Sequence, residues 1–398
     1  MRIAPLNPAI AGTSVPPVME ARRWLGGVTF PPDRPLINVS QAAPLDPPPE
    51  GLRRAIAEAA LNDPAAHLYG PVLGMAALRA EVAAQWSRAY GGQIAENQVA
   101  ITQGCNQAFC AVMVTLAGAG DEVIIPTPWY FNHKMWLDMQ GVKAVSLPTG
   151  AGLIPDPQAA AALIGPRTKA IVLVSPNNPG GAEYPAETIR AFRDLARARG
   201  LVLVIDETYR DFDARTGAPH TLFTDPDWAG GGTDPGFVHL YSFSKAYRLT
   251  GHRVGAIVAS TARLAEVEKF LDTVAICPGQ LGQIGALWGM RNLSAWVAAE
   301  RIEILARRAA ISAGLVTLPG WKTLGCGAYF AYVEHPSPLP APQFAQNLVR
   351  EAGVLLLPGT MFMPVTDPAG QRQLRIAFAN IDTAGIALLM GRLRALTF

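Results

Sequence analysis

The chain has little cysteine, almost no net charge, few lysines and no long apolar segment. Its 398 residues include 33 basic and 31 acidic side chains, a net charge of +2, so no charge excess indicates a nucleic acid or an anionic membrane as a partner. The four cysteines form no Cys-x-x-Cys pair and are sparse for a disulfide framework, so we expect reduced thiols. No apolar run approaches the roughly 18 residues that cross a bilayer. These deficits predict a protein without nucleic-acid or membrane partners.

The first 17 residues also lack the apolar stretch of about 7 to 15 residues that marks a secretion signal. Half of all residues are apolar and 16% are charged, which argues against a disordered chain and favours a compact one. We therefore expect a globular protein of the cytoplasm.

Short apolar runs alternate with helical segments through the middle of the chain. Runs that are apolar at nearly every position, such as LVLVID at 201–206, are typical of strands buried on both faces of a parallel sheet. The pattern predicts an α/β fold whose large domain has a mostly parallel seven-stranded sheet between helices. The predicted strands are Val99–Thr102, Glu122–Ile125, Ala144–Leu147, Ala170–Ser175, Leu201–Asp206, Val238–Ser242 and Val254–Ala259.

The pattern changes after Gly289 to a long helix, Leu293–Gly314, followed by strands and helices in a different order. We therefore predict an N-terminal arm that joins part of the small domain (1–45), a large domain (46–290) and a smaller α/β domain (291–398). Further predicted elements are the helices Val18–Leu25, Gly51–Asn62, Leu73–Tyr90, Pro342–Ala352 and Thr383–Leu396, and the strands Leu36–Val39, Trp321–Thr323, Ala328–Val333, Val354–Leu356 and Leu374–Phe378.

Several common catalytic motifs are missing. No lysine follows a glycine, which excludes the phosphate loop of a nucleotide hydrolase, and the dinucleotide fingerprint Gly-x-Gly-x-x-Gly is absent. The sequence contains neither Gly-x-Ser-x-Gly nor His-Glu-x-x-His, and its six histidines are scattered. Serine hydrolases and zinc peptidases therefore have no support, and we expect no metal.

Four segments follow predicted strands at their carboxyl ends, where ligands bind in a doubly wound sheet. ITQGCNQAF (101–109) turns into a helix whose first amides could hold a phosphate, and SPNNPGG (175–181) ends a strand in two asparagines. IDETY (205–209) places Asp206 at the end of a buried strand, where a carboxylate needs a partner such as a protonated ring nitrogen. Each segment alone also has a purely structural explanation. The first two could be ordinary turns, and Asp206 could be a buried carboxylate that accepts hydrogen bonds from backbone amides.

The fourth segment, YSFSKAYRLTGHRVG (241–255), places one of the six lysines after two serines and before Arg253. Serine, lysine and arginine together suit a phosphate next to an amine, and lysine forms Schiff bases when its pKa is lowered. A surface lysine is the alternative for this segment alone. A reaction that needs a lysine amine could use only one of six residues: Lys134, Lys143, Lys169, Lys245, Lys269 and Lys322.

Together the motifs resemble the fold-type I aminotransferases of classes I and II, which depend on pyridoxal 5′-phosphate. The resemblance covers residues 36 to 378, in family order and at family-like spacings. It rests on Tyr69-Gly70, Gly104 in TQGCNQA, Pro128 and Tyr130 in PTPWY, NNPGG, DETY, SFSK with Arg253, and Arg375 in LRIAF.

This resemblance implies a catalytic role for three residues. Lys245 matches the lysine that holds the cofactor covalently and then moves the proton at the substrate Cα. Asp206 matches the acid that pairs with the pyridine nitrogen, and Tyr209 with Asn178 matches the pair that binds the ring hydroxyl. Tyr130 matches the aromatic residue stacked on the cofactor ring.

The resemblance also implies the remaining contacts. Tyr69 matches a tyrosine that reaches the site of the neighbouring subunit, so a homodimer is implied. Arg375 matches the arginine that binds the substrate α-carboxylate, with Asn178 and Ala42 beside the substrate. Relatives often read Gly-x-Gly before the proline of that loop, where this chain has Ser40 to Pro44. The cofactor contacts implied around the phosphate are Gly104, Cys105, Asn106, Ser242, Ser244 and Arg253.

The family motifs leave the reaction partly open. The main hypothesis is transfer of the amino group of an α-amino acid to a 2-oxo acid by a ping-pong mechanism, in amino acid metabolism. A carbon–sulfur β-lyase would use the same residues, and some related domains bind effectors in transcription regulators. The last alternative needs a DNA-binding segment, and no basic helix-turn-helix pattern precedes the large domain.

The substrate side chain is the least determined feature. An acidic substrate needs a second arginine, for which Arg22, Arg23 and Arg291 are available. The apolar arm instead favours an aromatic or aliphatic donor, including methionine, unless these residues only pack on a dimer surface. The apolar residues of the arm are Val15, Pro16, Val18, Trp24 and Leu25.

Overall fold

Strands and helices alternate through the computed structural model, which describes residues 4–229 and 234–396. The strands are β1 Ile37–Asn38, β2 Val99–Thr102, β3 Glu122–Thr127, β4 Lys143–Pro148, β5 Thr168–Val174, β6 Val202–Asp206, β7 Phe237–Ser242, β8 Gly255–Val258, β9 Lys322–Gly327, β10 Phe330–Glu334, β11 Val354–Leu355, β12 Leu357–Pro358 and β13 Gln373–Ile376. The helices are α1 Pro8–Gly12, α2 Pro17–Arg23, α3 Glu50–Asn62, α4 Ala76–Tyr90, α5 Cys105–Leu116, α6 Phe131–Met139, α7 Pro157–Leu163, α8 Ala186–Ala198, α9 Pro226–Ala229, α10 Thr261–Ala275, α11 Gln280–Asn292, α12 Ser294–Val316, α13 Ala341–Asn347 and α14 Thr383–Arg394. None of these helices has both the length and the apolar character needed to cross a membrane.

The large sheet has seven strands in the order β2-β8-β7-β6-β5-β3-β4. Only β8 runs opposite to the other six strands, so the predicted mostly parallel sheet is confirmed. Side chains of β6 alternate between two cores: Val202 and Val204 pack in one, Leu203 and Ile205 in the other. Successive side chains of a strand point to opposite faces of the sheet. A strand that is covered on both faces therefore needs apolar residues at every position, which is the pattern that predicted β6.

The direction of β8 brings two parts of the chain to the same edge of this sheet. The strands β2 and β7 end at this edge with Thr102 and Ser242, and both residues pair with Gly255, the first residue of β8. Because β8 starts where its neighbours end, Arg253 lies beside the segments that follow β2 and β7. The antiparallel direction of β8 therefore places the Arg253 guanidinium at the carboxyl edge of the parallel strands.

A second sheet has four strands in the order β12-β13-β10-β9, all antiparallel, and carries Arg375 on β13. The arm joins this region because β1 pairs in parallel with β11. The Val39 amide donates to Leu355 O at 2.9 Å, and Val39 O accepts from the Ala377 amide at 2.9 Å. The segment after β1 is thereby held close to β13. The domain boundaries near residues 45 and 290 stay predictions.

Many of the predicted elements begin or end at other residues in the structure, and two of these differences have a clear tertiary cause. The helix predicted from Leu73 starts at Ala76, because Leu73 O accepts from the Ile101 amide at 2.9 Å and Gly74 has a φ of +90°. The strand predicted at Val354–Leu356 divides into β11 and β12, which belong to different sheets. Both differences arise from tertiary pairing, which a local hydrophobic pattern does not encode.

Candidate active site

A cavity of about 430 Å³ opens at the carboxyl edge of the large sheet. Its wall combines residues that follow β2, β3, β5, β6 and β7 with residues of the arm and of β13. It includes every residue that the sequence predicted for the site except Gly104 and Tyr69. The predicted residues that line it are Ala42, Cys105, Asn106, Tyr130, Asn178, Asp206, Tyr209, Ser242, Ser244, Lys245, Arg253 and Arg375.

One end of the cavity is built to bind an anion. Gly104 has a φ of +85° and caps α5, and a Cβ at this position would collide with the Arg253 guanidinium. The guanidinium Nη1 lies 3.4 Å from Ser244 Oγ, and the Ser244 amide is 3.3 Å from Ser242 Oγ. The first turn of α5, which starts at Cys105, adds amides without intrahelical acceptors. Amides, hydroxyls and one guanidinium together suit a phosphate.

Lys245 lies beside this anion site with its amine turned toward the arm. Its Nζ donates to Ala42 O at 2.5 Å and lies 5.7 Å from the centre of the Tyr209 ring. Burial, together with the charges of Arg253 and Arg375, lowers the pKa of Lys245 to about 8. A neutral, nucleophilic amine is therefore accessible near neutral pH.

Asp206 is a buried carboxylate at the end of β6. Its Oδ1 accepts from the Thr208 amide at 2.9 Å, and its Oδ2 lies 3.2 Å from His133 Nε2. Burial acts to raise the pKa of Asp206, but the contacts with His133 and Thr208 outweigh it and hold the pKa below its usual value. The site therefore keeps an ionised carboxylate in a buried position.

Tyr130 connects the Asp206 region to the first turn of α5. Its ring packs edge-on against His133 at 4.9 Å, while His133 stacks on Phe109 at 3.8 Å. The Tyr130 hydroxyl accepts from Asn132 Nδ2 at 2.9 Å and donates to Asn106 Oδ1 at 3.3 Å. The ring is thereby held in place at the cavity wall.

Arg375 is a buried cation at the other end of the cavity. It donates through Nη1 to Asn178 Oδ1 at 3.0 Å and through Nη2 to Ser40 O, and its guanidinium lies 4.9 Å from the Phe362 ring. Burial lowers its pKa to about 10. Its Nε has no hydrogen-bond partner among the described residues. A buried guanidinium with a free donor and no carboxylate partner in the described chain suits a carboxylate ligand.

Tyr69 is not part of this cavity within one chain. The side chain is 80% exposed and lines a separate surface cavity with Leu68, Cys277 and Gln280. Its predicted contact with the neighbouring subunit stays a prediction.

The arm places some of its apolar residues at the cavity and others elsewhere. Pro16, Val18 and Met19 line the cavity. Trp24 and Leu25 instead pack on a core cluster that contains Phe131. The apolar arm therefore contributes directly to the part of the cavity outside the anion site.

Sequence reasoning missed His133, Phe131 and Gln41, which contact Asp206 or line the cavity. One local signal points to His133, because it follows Tyr130 by three residues at the start of α6, and such neighbours share a helix face. No comparable signal exists for Gln41, whose place depends on how the arm crosses the sheet.

A buried network of polar side chains holds Glu207, the residue that follows Asp206 at the end of β6. Glu207 lies between Tyr90, whose hydroxyl donates to it, and His239, whose Nε2 is 2.9 Å from Glu207 Oε2. His220 Nε2 lies 3.7 Å from the other carboxylate oxygen. Burial acts to raise the pKa of Glu207, but the two histidines and Arg210 lower it to about 2. An ionised Glu207 thus anchors the residue next to Asp206.

This network makes the stability of the fold depend on pH. Burial lowers the pKa of His220 from 6.5 to about 4, so between these values the unfolded chain binds a proton that the folded chain excludes. We expect the melting temperature to fall as pH decreases from about 6.5 to 4. In His220→Gln this decrease should be smaller, whereas the exposed His67→Gln should retain it. An identical pH dependence in His220→Gln would contradict this assignment.

A lysine of lowered pKa between an anion site and a buried carboxylate is typical of an enzyme that works through a covalently held, phosphorylated cofactor. The sequence matches the family model described as aminotransferase class I and II over residues 34–393. The chain belongs to this family, and it is a pyridoxal phosphate-dependent enzyme that acts on amino and oxo acids.

Named relatives cover most of the chain. It is 31% identical to the arginine–pyruvate transaminase of Pseudomonas aeruginosa over 306 residues, 74% of this chain and 75% of the relative. It is 30% identical to the valine–pyruvate aminotransferase of Mycobacterium tuberculosis over 358 residues, 87% of each chain. The structure of N-succinyldiaminopimelate aminotransferase from Mycobacterium tuberculosis superposes with a TM-score of 0.87 at 25% identity, over 99% of this chain and 100% of that one.

Proposed function

We propose that this protein transfers the amino group of an α-amino acid with an apolar side chain to a 2-oxo acid. The observation that carries the proposal is the placement of Lys245 between the anion site at Arg253 and the buried cation Arg375. An amine, a phosphate site and a carboxylate site in one cavity provide the three contacts that a cofactor-bound amino acid requires.

The residues of the cavity fit pyridoxal phosphate. Because Gly104 has no Cβ, the Arg253 guanidinium approaches it closely, and the surrounding amides, hydroxyls and Arg253 would hold the phosphate. The ionised Asp206 would accept a hydrogen bond from a protonated ring nitrogen. Bound pyridoxal phosphate supplies an electron sink for the electron pair left when the Cα–H bond breaks.

Three side chains would then perform the binding and proton transfer. The Lys245 amine, with a pKa of about 8, would hold the cofactor covalently and, once free, would take the proton from the substrate Cα and deliver it to C4′ of the cofactor. Arg375 binds the α-carboxylate and so orients the Cα–H bond. Tyr209 and Asn178 would bind the ring hydroxyl.

The apolar residues of the cavity wall favour a donor with an apolar side chain. Relatives are named for arginine, valine and aspartate or prephenate, so their names do not agree on one side chain. In this chain Val18, Met19 and Phe131 line the cavity, and burying such contacts favours an aromatic or aliphatic side chain, including methionine. We further propose that the enzyme works as a homodimer in which Tyr69 reaches the partner's site.

A titration of the holoenzyme with single amino acids, without an oxo acid, tests the proposed reaction. We expect apolar amino acids to convert the visible absorption band of the cofactor to the amine form, and a 2-oxo acid to restore it. Release of pyruvate and ammonia from a cysteine thioether, with the band regenerated, would instead establish β-elimination.

A further inference from the structure

Three consecutive residues of the arm contact three different cations of the cavity. Ser40 O accepts from Arg375, Gln41 Oε1 accepts from Arg22 Nη2 at 2.7 Å, and Ala42 O accepts from Lys245 at 2.5 Å. Since two residue steps span at most about 7 Å, the segment 40–42 brings Arg22 close to the end of the cavity that holds Arg375. The contact with Arg22 is made by the Gln41 side chain, so it depends on the residue at this position and not on the backbone alone.

The charges of the cavity leave Arg22 without an assigned partner. Its wall carries the cations Arg22, Lys245, Arg253 and Arg375, and Asp206 is its single carboxylate among the described residues. The proposed function uses Arg253 for the phosphate, Arg375 for the α-carboxylate and Lys245 for the cofactor. Arg22 is left over.

Arg22 also differs from the other two candidate arginines in its hydrogen-bond partner. Within the described part of the chain no carboxylate lies at ion-pair distance from Arg22, and the neutral Gln41 is its hydrogen-bond partner. The next residue, Arg23, lies outside the cavity wall and binds Glu20 at 2.9 Å. Arg291, the third candidate for an acidic substrate, binds Glu81 at 3.1 Å away from the cavity. Of the three arginines, only Arg22 faces the cavity without an acidic partner.

We propose that Arg22, oriented by Gln41, binds the side-chain carboxylate of a short dicarboxylic 2-oxo acid, the acceptor of the amino group. This rests on the proposed function and deepens it, because the enzyme must admit two substrates to the same cavity. The apolar residues of the arm contact the side chain of the donor, and the arginine on the same helix binds the acidic acceptor. Gln41 occupies one N–H of the guanidinium, so the rest of its fork is free for a carboxylate.

Binding of two non-reacting ligands to the holoenzyme tests this assignment. Glutarate and valerate both have five carbons, and glutarate differs by a second carboxylate. Their dissociation constants are measured by calorimetry for the wild type, for Arg22→Gln and for the neighbouring Arg23→Gln as the control. Because a charge-assisted hydrogen bond accounts for about a tenfold change in affinity or more, we expect the glutarate to valerate affinity ratio to fall at least about tenfold in Arg22→Gln. In Arg23→Gln the ratio should stay at the wild-type value.

The outcomes separate the two proposals. An unchanged ratio in Arg22→Gln, or an equal weakening of both ligands, would overturn the role of Arg22. The same would follow if Arg23→Gln lowered the ratio as much. A wild-type holoenzyme that transfers no amino group from any amino acid would refute the proposed function, while the ligand ratio would still report on Arg22.

Discussion

Lys245→Ala is expected to lose the visible absorption of the covalently bound cofactor and to reduce kcat by about 10⁴-fold or more. The amine of Lys245 is the one group in the described cavity that combines nucleophilic character with a pKa near neutrality, about 8. Removing it deletes both the covalent attachment and the base that takes the Cα proton. The fold should persist, because the side chain makes one hydrogen bond, to Ala42 O, and the residue is only partly buried.

The matched control for this variant is Lys269→Ala. Lys269 lies on α10, is exposed, and pairs with Glu266 at 2.8 Å, far from the cavity wall. Spectra and circular dichroism of both variants decide the result: the control should keep the visible band, and both should keep the wild-type secondary structure. A visible band that survives in Lys245→Ala would move the attachment to another of the six lysines.

Arg375→Lys is expected to lower kcat/KM for amino acids by about ten- to a hundredfold, mainly through a higher KM. The planar guanidinium binds a carboxylate through two parallel N–H groups, and a lysine ammonium keeps the charge but not this geometry. Loss of one charge-assisted hydrogen bond costs about 1.5 to 3 kcal/mol. The aromatic rings around Arg375 also favour a flat cation over a compact one.

Arg372→Lys serves as the control for Arg375→Lys. Arg372 lies three residues earlier and donates to the backbone carbonyls of Ser337 and His335, outside the cavity wall. Steady-state kinetics with an apolar amino acid should show a wild-type KM for this control. An unchanged kcat/KM in Arg375→Lys would mean that another group binds the α-carboxylate.

Much of the site was predictable because it depends on strand ends. Asp206 and Lys245 follow apolar runs that the sequence marks clearly, and the carboxyl ends of parallel strands share one edge. Arg375 was placed by the family resemblance alone, since its own strand, β13, belongs to the other sheet. The spacing from Tyr130 indicates the position of His133 on α6 but not its contact with Asp206, because that contact joins α6 to β6 and no sequence period links these two elements.

The sequence by itself determined the local backbone, the order of strands and helices, the apolar faces that make the large sheet, and through its motifs the family. Hydrophobic periods and turn residues encode these features because they act over a few neighbouring positions. The tertiary structure decided which distant groups meet. Ser40 and Arg375 lie 335 positions apart, and Ala42 and Lys245 lie 203 apart. Their contacts arise only when the arm crosses from the small sheet to the large one, and this packing also places Arg22 at the cavity while Arg23 remains outside.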